Sequence, residues 1–217
     1  MDKLRSMALP RLYPIVDSSA LTVRGFDLVT ASEAMLEGGA RILQFRHKGH
    51  YSRTVFEQAS RIAGLCRSAN ALFVIDDRAD IALLLDAGVH LGQDDLAPAD
   101  ARKILGPHRW IGFSTHNAEQ FAAGLDEPAD YLAIGPVFDT RSKENPDPVV
   151  GLDRVRRLYR RTGLPLVAIG GITRDNALDV LAAGADSVAV IHDILPDDCS
   201  FHALRERMEE WQRLVAK

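Results

Sequence analysis

Cysteine is nearly absent: Cys66 and Cys199 are the only two in 217 residues. Two thiols build no disulfide framework, and lone thiols suit a reducing compartment. Excess positive charge is also missing. Lys and Arg number 26 against 30 Asp and Glu, for a formal net charge of −4. Nucleic acid and anionic membrane call for concentrated positive charge, so neither is expected as a partner, although a basic patch inside one pocket stays open. Long apolar runs are lacking too, and no segment approaches the length that spans a bilayer. Met1 to Pro10 carries charges but no apolar stretch of signal-peptide length. The expectation is a soluble, cytoplasmic protein.

What the chain does have is alternation. Apolar residues make up 47% of it, enough for a sizeable core, and the length fits one domain at the short end for a closed α/β barrel. Short apolar runs rich in β-branched residues fall at 12–16, 40–46, 71–75, 88–91, 110–113, 131–134, 166–169 and 187–191. Helical patterns lie between them at 27–37, 52–68, 78–86, 98–105, after Asn117, at 152–161 and from Thr173 through Ala183. A last one carries Phe201, Leu204, Met208, Trp211 and Val215. Within 52–68, Val55, Phe56, Ala59, Ile62, Ala63 and Cys66 share one face at 3–4 spacing. Asn117 with Gln120 three residues on reads as a capping box. Strict strand–helix alternation means parallel strands, because each helix returns the chain to the same end of the sheet. Eight units predict an α/β fold, a single (β/α)8 TIM barrel over 1–217 with 1–10 as an N-terminal extension. An open doubly wound sheet is the alternative.

In such barrels the active site is built at the C-terminal ends of the strands, so the residues that follow each apolar run carry the information. Strand two ends in Gln44, Arg46 and Lys48, which are spaced by two and share a face while Phe45 points the other way. Turned inward, that face offers an amide, a guanidinium and an ammonium to an anion such as phosphate; turned outward, it is an ordinary charged strand end. Strand three ends in Asp76 and Asp77, and strand four leads through His90 and Gln93 to Asp94 and Asp95. Carboxylates opposite cations suit Mg²⁺ held with substrate phosphate oxygens, or else a helix cap and a solvated turn. Strand five ends in Ser114 and His116. A long connection from Phe138 to Val150 holds Thr140, Ser142 and Lys143, the composition of a covering loop. Gly170-Gly171 after strand seven can bring bare N–H groups up to a phosphate, and strand eight ends at Ile191-His192.

These segments resemble the thiamine phosphate synthase family. They are Leu12-Tyr13-Pro14-Ile15, Gln44-Phe45-Arg46-His47-Lys48, Asp76-Asp77-Arg78-Ala79-Asp80, Gly88 through Asp95, Gly112-Phe113-Ser114-Thr115-His116, Gly135-Pro136-Val137-Phe138 through Thr140 to Lys143, and Ala168-Ile169-Gly170-Gly171-Ile172. The resemblance implies a transferase that joins an aminopyrimidine diphosphate to a thiazole phosphate. It implies that Gln44, Arg46, Lys48 and Asp76 hold the pyrimidine diphosphate, that Asp77 and Asp95 bind Mg²⁺, and that Ser114 contacts the reacting pyrimidine. Thr140, Ser142 and Lys143 would bind phosphates, and Gly171, Ile191 and His192 the thiazole phosphate. Arg46, Lys48, Ser114 and Lys143 would act in catalysis. Asp76 stands where the family pattern has Asn, His47 where it has an acidic residue, Ser142 where it has Thr, and His192 where it has Ser. Two other readings stay open: a thiazole tautomerase-like enzyme with His116 moving the proton, and a phosphate-ligand-binding paralogue. A homo-oligomer is also open.

Overall fold

Each strand pairs in parallel with the next, and the last returns to the first. In the computed structural model, which describes residues 8–140, 147–198 and 200–216, the strands are β1 (Leu12–Asp17), β2 (Ile42–Arg46), β3 (Leu72–Asp76), β4 (Gly88–Leu91), β5 (Ile111–Thr115), β6 (Tyr131–Ile134), β7 (Leu166–Ile169) and β8 (Ser187–Val190). They form a closed barrel in chain order. Leu12 lies opposite Val188 and Pro14 opposite Val190, which rules out the open sheet.

The helices are α1 (Ser18–Val23), α2 (Leu28–Glu37), α3 (Arg53–Ser68), α4 (Ala79–Leu85), α5 (Pro98–Leu105), α6 (Ala118–Gly124), α7 (Gly151–Tyr159), α8 (Ala177–Ala182) and α9 (Phe201–Val215). Several starts are written in the sequence. Asp27, Ser52, Asn117 and Ser200 each accept a backbone N–H of the following first turn and so satisfy donors that a helix end leaves open. At α6 the capping pattern has a variation: Gln120 Oε1 accepts from His116 N at 2.8 Å rather than from the cap residue itself.

Strand alternation divides the core into two shells. On β2, Leu43 and Phe45 enter the shell between barrel and helices. Ile42 enters the shell inside the barrel with Tyr13, Leu72, Val74, Trp110 and Tyr131. Cys66 is buried in the outer shell, as its stripe predicts. Cys199 lies outside the described residues.

Three boundaries differ from expectation. The six-residue helix α1 directly follows β1, capped by Asp17, which accepts Ala20 N at 2.8 Å; six residues are too few to show a helical period. Thr173 does not cap α8. Residues 174–176 form a turn, Asn176 occupies the cap position, and Thr173 O accepts from Asn176 N and Ala177 N. Leu9, expected in an extension, is buried in the inner shell.

Candidate active site

The C-terminal ends of the strands surround a cavity of about 910 Å³. Gln44 and Arg46 reach it from β2, with Lys48 two residues beyond. The inward reading of this face is the observed one, because Phe45 between them is buried in the outer shell. Asp76 and Asp77 enter from β3, Asp95 from the turn after β4, and Ser114 and His116 from the end of β5. Thr140, Gly171, Ile191 and His192 complete the far side. Ser142 and Lys143 lie outside the described residues.

Charges interlock across the β1–β2–β3 side. Arg46 bonds to Asp17 and lies 3.6 Å from Asp76 Oδ2 through Nε. Lys48 Nζ sits 2.8 Å from Asp76 Oδ2 and 2.5 Å from Asp77 Oδ2. Burial alone would lower the Lys48 pKa, but the Asp76 and Asp77 carboxylates outweigh it and hold the ammonium above its ordinary value. For Asp76 the balance is reversed: burial raises its pKa against the opposing pull of Lys48 and Arg46. Asp95 is also raised, by burial and by the Asp77 carboxyl close to it, against the Gly92 N–H that its Oδ2 accepts at 2.7 Å.

Asp77 sits at φ 65°, in the left-handed region, with its N–H bonded to His90 O at 2.8 Å. Its side chain does not cap α4, whose cap position is Arg78 with no side-chain bond. Asp77 and Asp95 therefore form a neighbouring carboxylate pair that could hold a hard divalent cation. Among the described residues no group of three or more His, Cys, Asp or Glu is arranged for a metal. Mg²⁺ fits the pair nonetheless, because it is commonly held by one or two carboxylates, with waters and substrate phosphate oxygens filling its octahedron.

On the opposite wall, Gly170 and Gly171 have φ of 99° and 64°. A Cβ on Gly170 would lie 2.5 Å from Pro136 Cβ, and one on Gly171 would lie 2.4 Å from Asp139 O. The turn needs glycine because the chain after β6 passes directly over it, which leaves bare backbone facing the cavity. His116 is held by Nδ1 against Gly135 O at 2.8 Å, with Asp147 Oδ2 at 3.5 Å.

Several contacts that shape the site lie beyond the residues that the sequence assigns to it. Asp17, 5% exposed, is the partner of Arg46; it follows the first apolar run, so the strand-end rule would have found it. Tyr13 and Tyr131 place hydroxyls in the barrel interior. Tyr13 Oη lies 2.8 Å from Tyr131 Oη and accepts from Gln44 Nε2 at 3.3 Å. Tyr131 Oη lies 3.0 Å from His90 Nδ1, and His90 Nε2 lies 2.8 Å from Ser114 Oγ. Burial pushes the His90 pKa down to about 4, so the ring is neutral near pH 7. No strand-end pattern reports a chain of contacts through the barrel.

A closed parallel barrel with a charged mouth and a glycine turn after β7 defines a (β/α)8 barrel enzyme acting on small molecules. A family model described as thiamine monophosphate synthase matches residues 12–194. The chain is 44% identical to the thiamine-phosphate synthase of Koribacter versatilis over 96% of this chain and 97% of that one. It is 38% identical to that of Chloroflexus aurantiacus over 90% of each. A solved thiamine phosphate pyrophosphorylase from Pyrococcus furiosus superposes with a TM-score of 0.82 at 35% identity, covering 95% of both chains. The chain belongs to the thiamine monophosphate synthase family. No helix among the described residues is long and apolar enough to cross a membrane.

Proposed function

We propose that this chain condenses an aminopyrimidine-methyl diphosphate with a thiazole phosphate to give thiamine phosphate and diphosphate, acting in the cytoplasm as one barrel domain. The observation that carries this is the cavity itself. Cations and carboxylates on its β2–β4 side suit a diphosphate with its metal, and the glycine turn with the residues after β8 suits a second phosphate.

Arg46 and Lys48 exchange their carboxylate partners for diphosphate oxygens, and Gln44 adds an amide N–H. Asp77 and Asp95 would hold Mg²⁺, which when bound neutralises charge on the diphosphate. Ser114 orients the pyrimidine ring. The bond from the pyrimidine methylene carbon to the diphosphate oxygen breaks, its electron pair leaving with the diphosphate. The aminopyrimidine ring stabilises the resulting cation, and the lone pair of the thiazole nitrogen forms the new C–N bond. The positive side chains act by stabilising the leaving group, so the step needs little proton transfer. The Gly171, Ile191 and His192 backbone takes the thiazole phosphate, while Thr140, Ser142 and Lys143 supply further phosphate contacts.

Both substrates incubated with the protein, with and without Mg²⁺, should yield thiamine phosphate only with the metal. Failure to form it with both substrates and Mg²⁺ present overturns the proposal. A tautomerase acting through His116 would need neither metal nor diphosphate.

A further inference from the structure

Among the described residues, hydrogen bonds inside the barrel link Gln44, Tyr13, Tyr131, His90 and Ser114 in one chain. It crosses from β2 through β1, β6 and β4 to β5. Each hydroxyl in it has one proton, so the links are not independent. Fixing the direction at one end fixes it everywhere.

The Gln44 end sets that direction. Its Nε2 donates to Tyr13 Oη, and an amide nitrogen can only donate. The Tyr13 proton then goes to its one other partner among the described residues, Tyr131 Oη. Tyr131 passes its own proton to His90 Nδ1. Nδ1 is thus the acceptor, and the imidazole proton sits on Nε2, where it donates to Ser114 Oγ. Were the imidazole doubly protonated, Nε2 would donate all the same.

We propose that this chain reserves the Ser114 hydroxyl proton for the cavity, making Ser114 a hydrogen-bond donor to a lone-pair acceptor on the ligand's heteroaromatic ring. The inference rests on the reading of Ser114 as the ring contact and adds what that contact demands of the ring. Run the other way, the chain would consume the Ser114 proton at His90 and leave only oxygen lone pairs facing the ligand. Tyr13, Tyr131 and His90 are positioning residues that act through Ser114. The serine is also held from its backbone, where Gln93 Nε2 donates to Ser114 O at 2.6 Å. Tyr131 and His90 stack with ring centroids 5.6 Å apart at 20°, which fixes the imidazole plane that aims Nε2.

Two measurements test the proposal. Nitrogen-15 NMR of histidine-labelled protein, with His90→Gln used to assign the signal, should show the proton on Nε2 of His90. A proton on Nδ1 with Nε2 bare overturns the inference whatever the enzyme's activity. A double-mutant cycle then pairs Tyr131→Phe, which keeps the ring and removes its proton, with Ser114→Ala. Tyr131→Phe alone should lower kcat by about tenfold, as expected for one misdirected hydrogen bond. In the Ser114→Ala background it should change kcat by less than about twofold, because the link it feeds is already gone. Equal effects in both backgrounds show a merely structural tyrosine and overturn the inference. If Ser114→Ala itself keeps full turnover, the reading of Ser114 as the ring contact fails, while the tautomer still decides the direction of the chain.

Discussion

Gly112→Ala is predicted to be far more damaging than a single added methyl suggests. Gly112 faces the Tyr131–His90 bond from the adjacent strand. A Cβ there would lie 2.1 Å from Tyr131 Cζ, 2.3 Å from Tyr131 Oη and 2.5 Å from His90 Nδ1. Neither ring can retreat cheaply. Tyr131 is fully buried, and β5 is held on both sides by β4 and β6. The methyl must therefore open the 3.0 Å Tyr131–His90 bond or displace the strand. Overpacking of this kind costs about 1–3 kcal/mol, and two buried polar groups left without each other cost about 1–3 kcal/mol more. A total near 4 kcal/mol lowers Tm by roughly 8–16 °C for a domain of this size. Gly64→Ala is the control. It lies within α3, nothing sits within 4 Å of its added Cβ, and the lower backbone entropy of alanine should stabilise the fold by about 0.5–1 kcal/mol. Thermal melts by circular dichroism read both. A Gly112→Ala variant melting within about 2 °C of the parent refutes the packing argument.

Asp77→Ala should keep the fold, seen as an unchanged melt, while turnover to thiamine phosphate falls roughly a hundredfold or more, as for removal of a group that organises transition-state charge; near-normal turnover removes Asp77 from the mechanism. His90 makes stability pH-dependent. Its folded pKa of about 4 lies below the ordinary 6.5, so its contribution is fully present above about pH 6.5 and is lost as pH falls toward 4. Between pH 7 and pH 5 denaturant titrations should lose about 2 kcal/mol more for the parent than for His90→Gln, and equal losses contradict the buried neutral ring. Cys66, its pKa pushed up to about 12 by burial, should react roughly a thousandfold more slowly with a thiol reagent at pH 8 in folded Cys199→Ser protein than in the unfolded chain, and equal rates would show an accessible thiolate.

What the sequence made legible is what a period can carry. Alternation put Gln44, Arg46 and Lys48 on one face with Phe45 on the other, and the burial of Phe45 in the outer shell decides that this face is the inward one; eight apolar runs between helical stretches predicted the barrel. Asp17 is equally legible by the strand-end rule, since it is the polar residue that ends β1. Helix α1 was not legible, since six residues complete fewer than two turns. The onset of α8 is not legible because Thr173 and Asn176 are both residue types that favour cap positions, and only the turn at 174–176 puts Asn176 there, without a side-chain cap bond. The Tyr13–Tyr131 contact joins residues 118 positions apart. Nothing local distinguishes a core tyrosine whose hydroxyl is bonded from one whose hydroxyl reaches water. The connection from Phe138 to Val150, expected from its length to cover the site, runs partly outside the described residues, and Ser142 and Lys143 with it.

The electrostatics of the mouth bear on how the proposed ligands bind. Arg46 and Lys48 are engaged by carboxylates, with Asp17, Asp76 and Asp77 all within salt-bridge distance of one or the other. A diphosphate bound as proposed would therefore exchange one set of anionic partners for another instead of capturing idle cations, and its net gain would be smaller than the raw Coulomb attraction suggests. The exchange also leaves Asp76 and Asp77 without their cation beside Asp95, where burial already disfavours negative charge. A divalent cation, if held by Asp77 and Asp95 as proposed, would offset that loss by supplying positive charge where the carboxylates and the diphosphate meet. Diphosphate and metal should thus strengthen each other's binding by the same factor, because each neutralises the charge that the other leaves uncompensated. Asp76, a carboxylate where the family pattern has a neutral amide, adds to the negative charge that must be neutralised. Dependence of diphosphate binding on the metal should therefore be steeper with Asp76 in place than after Asp76→Asn.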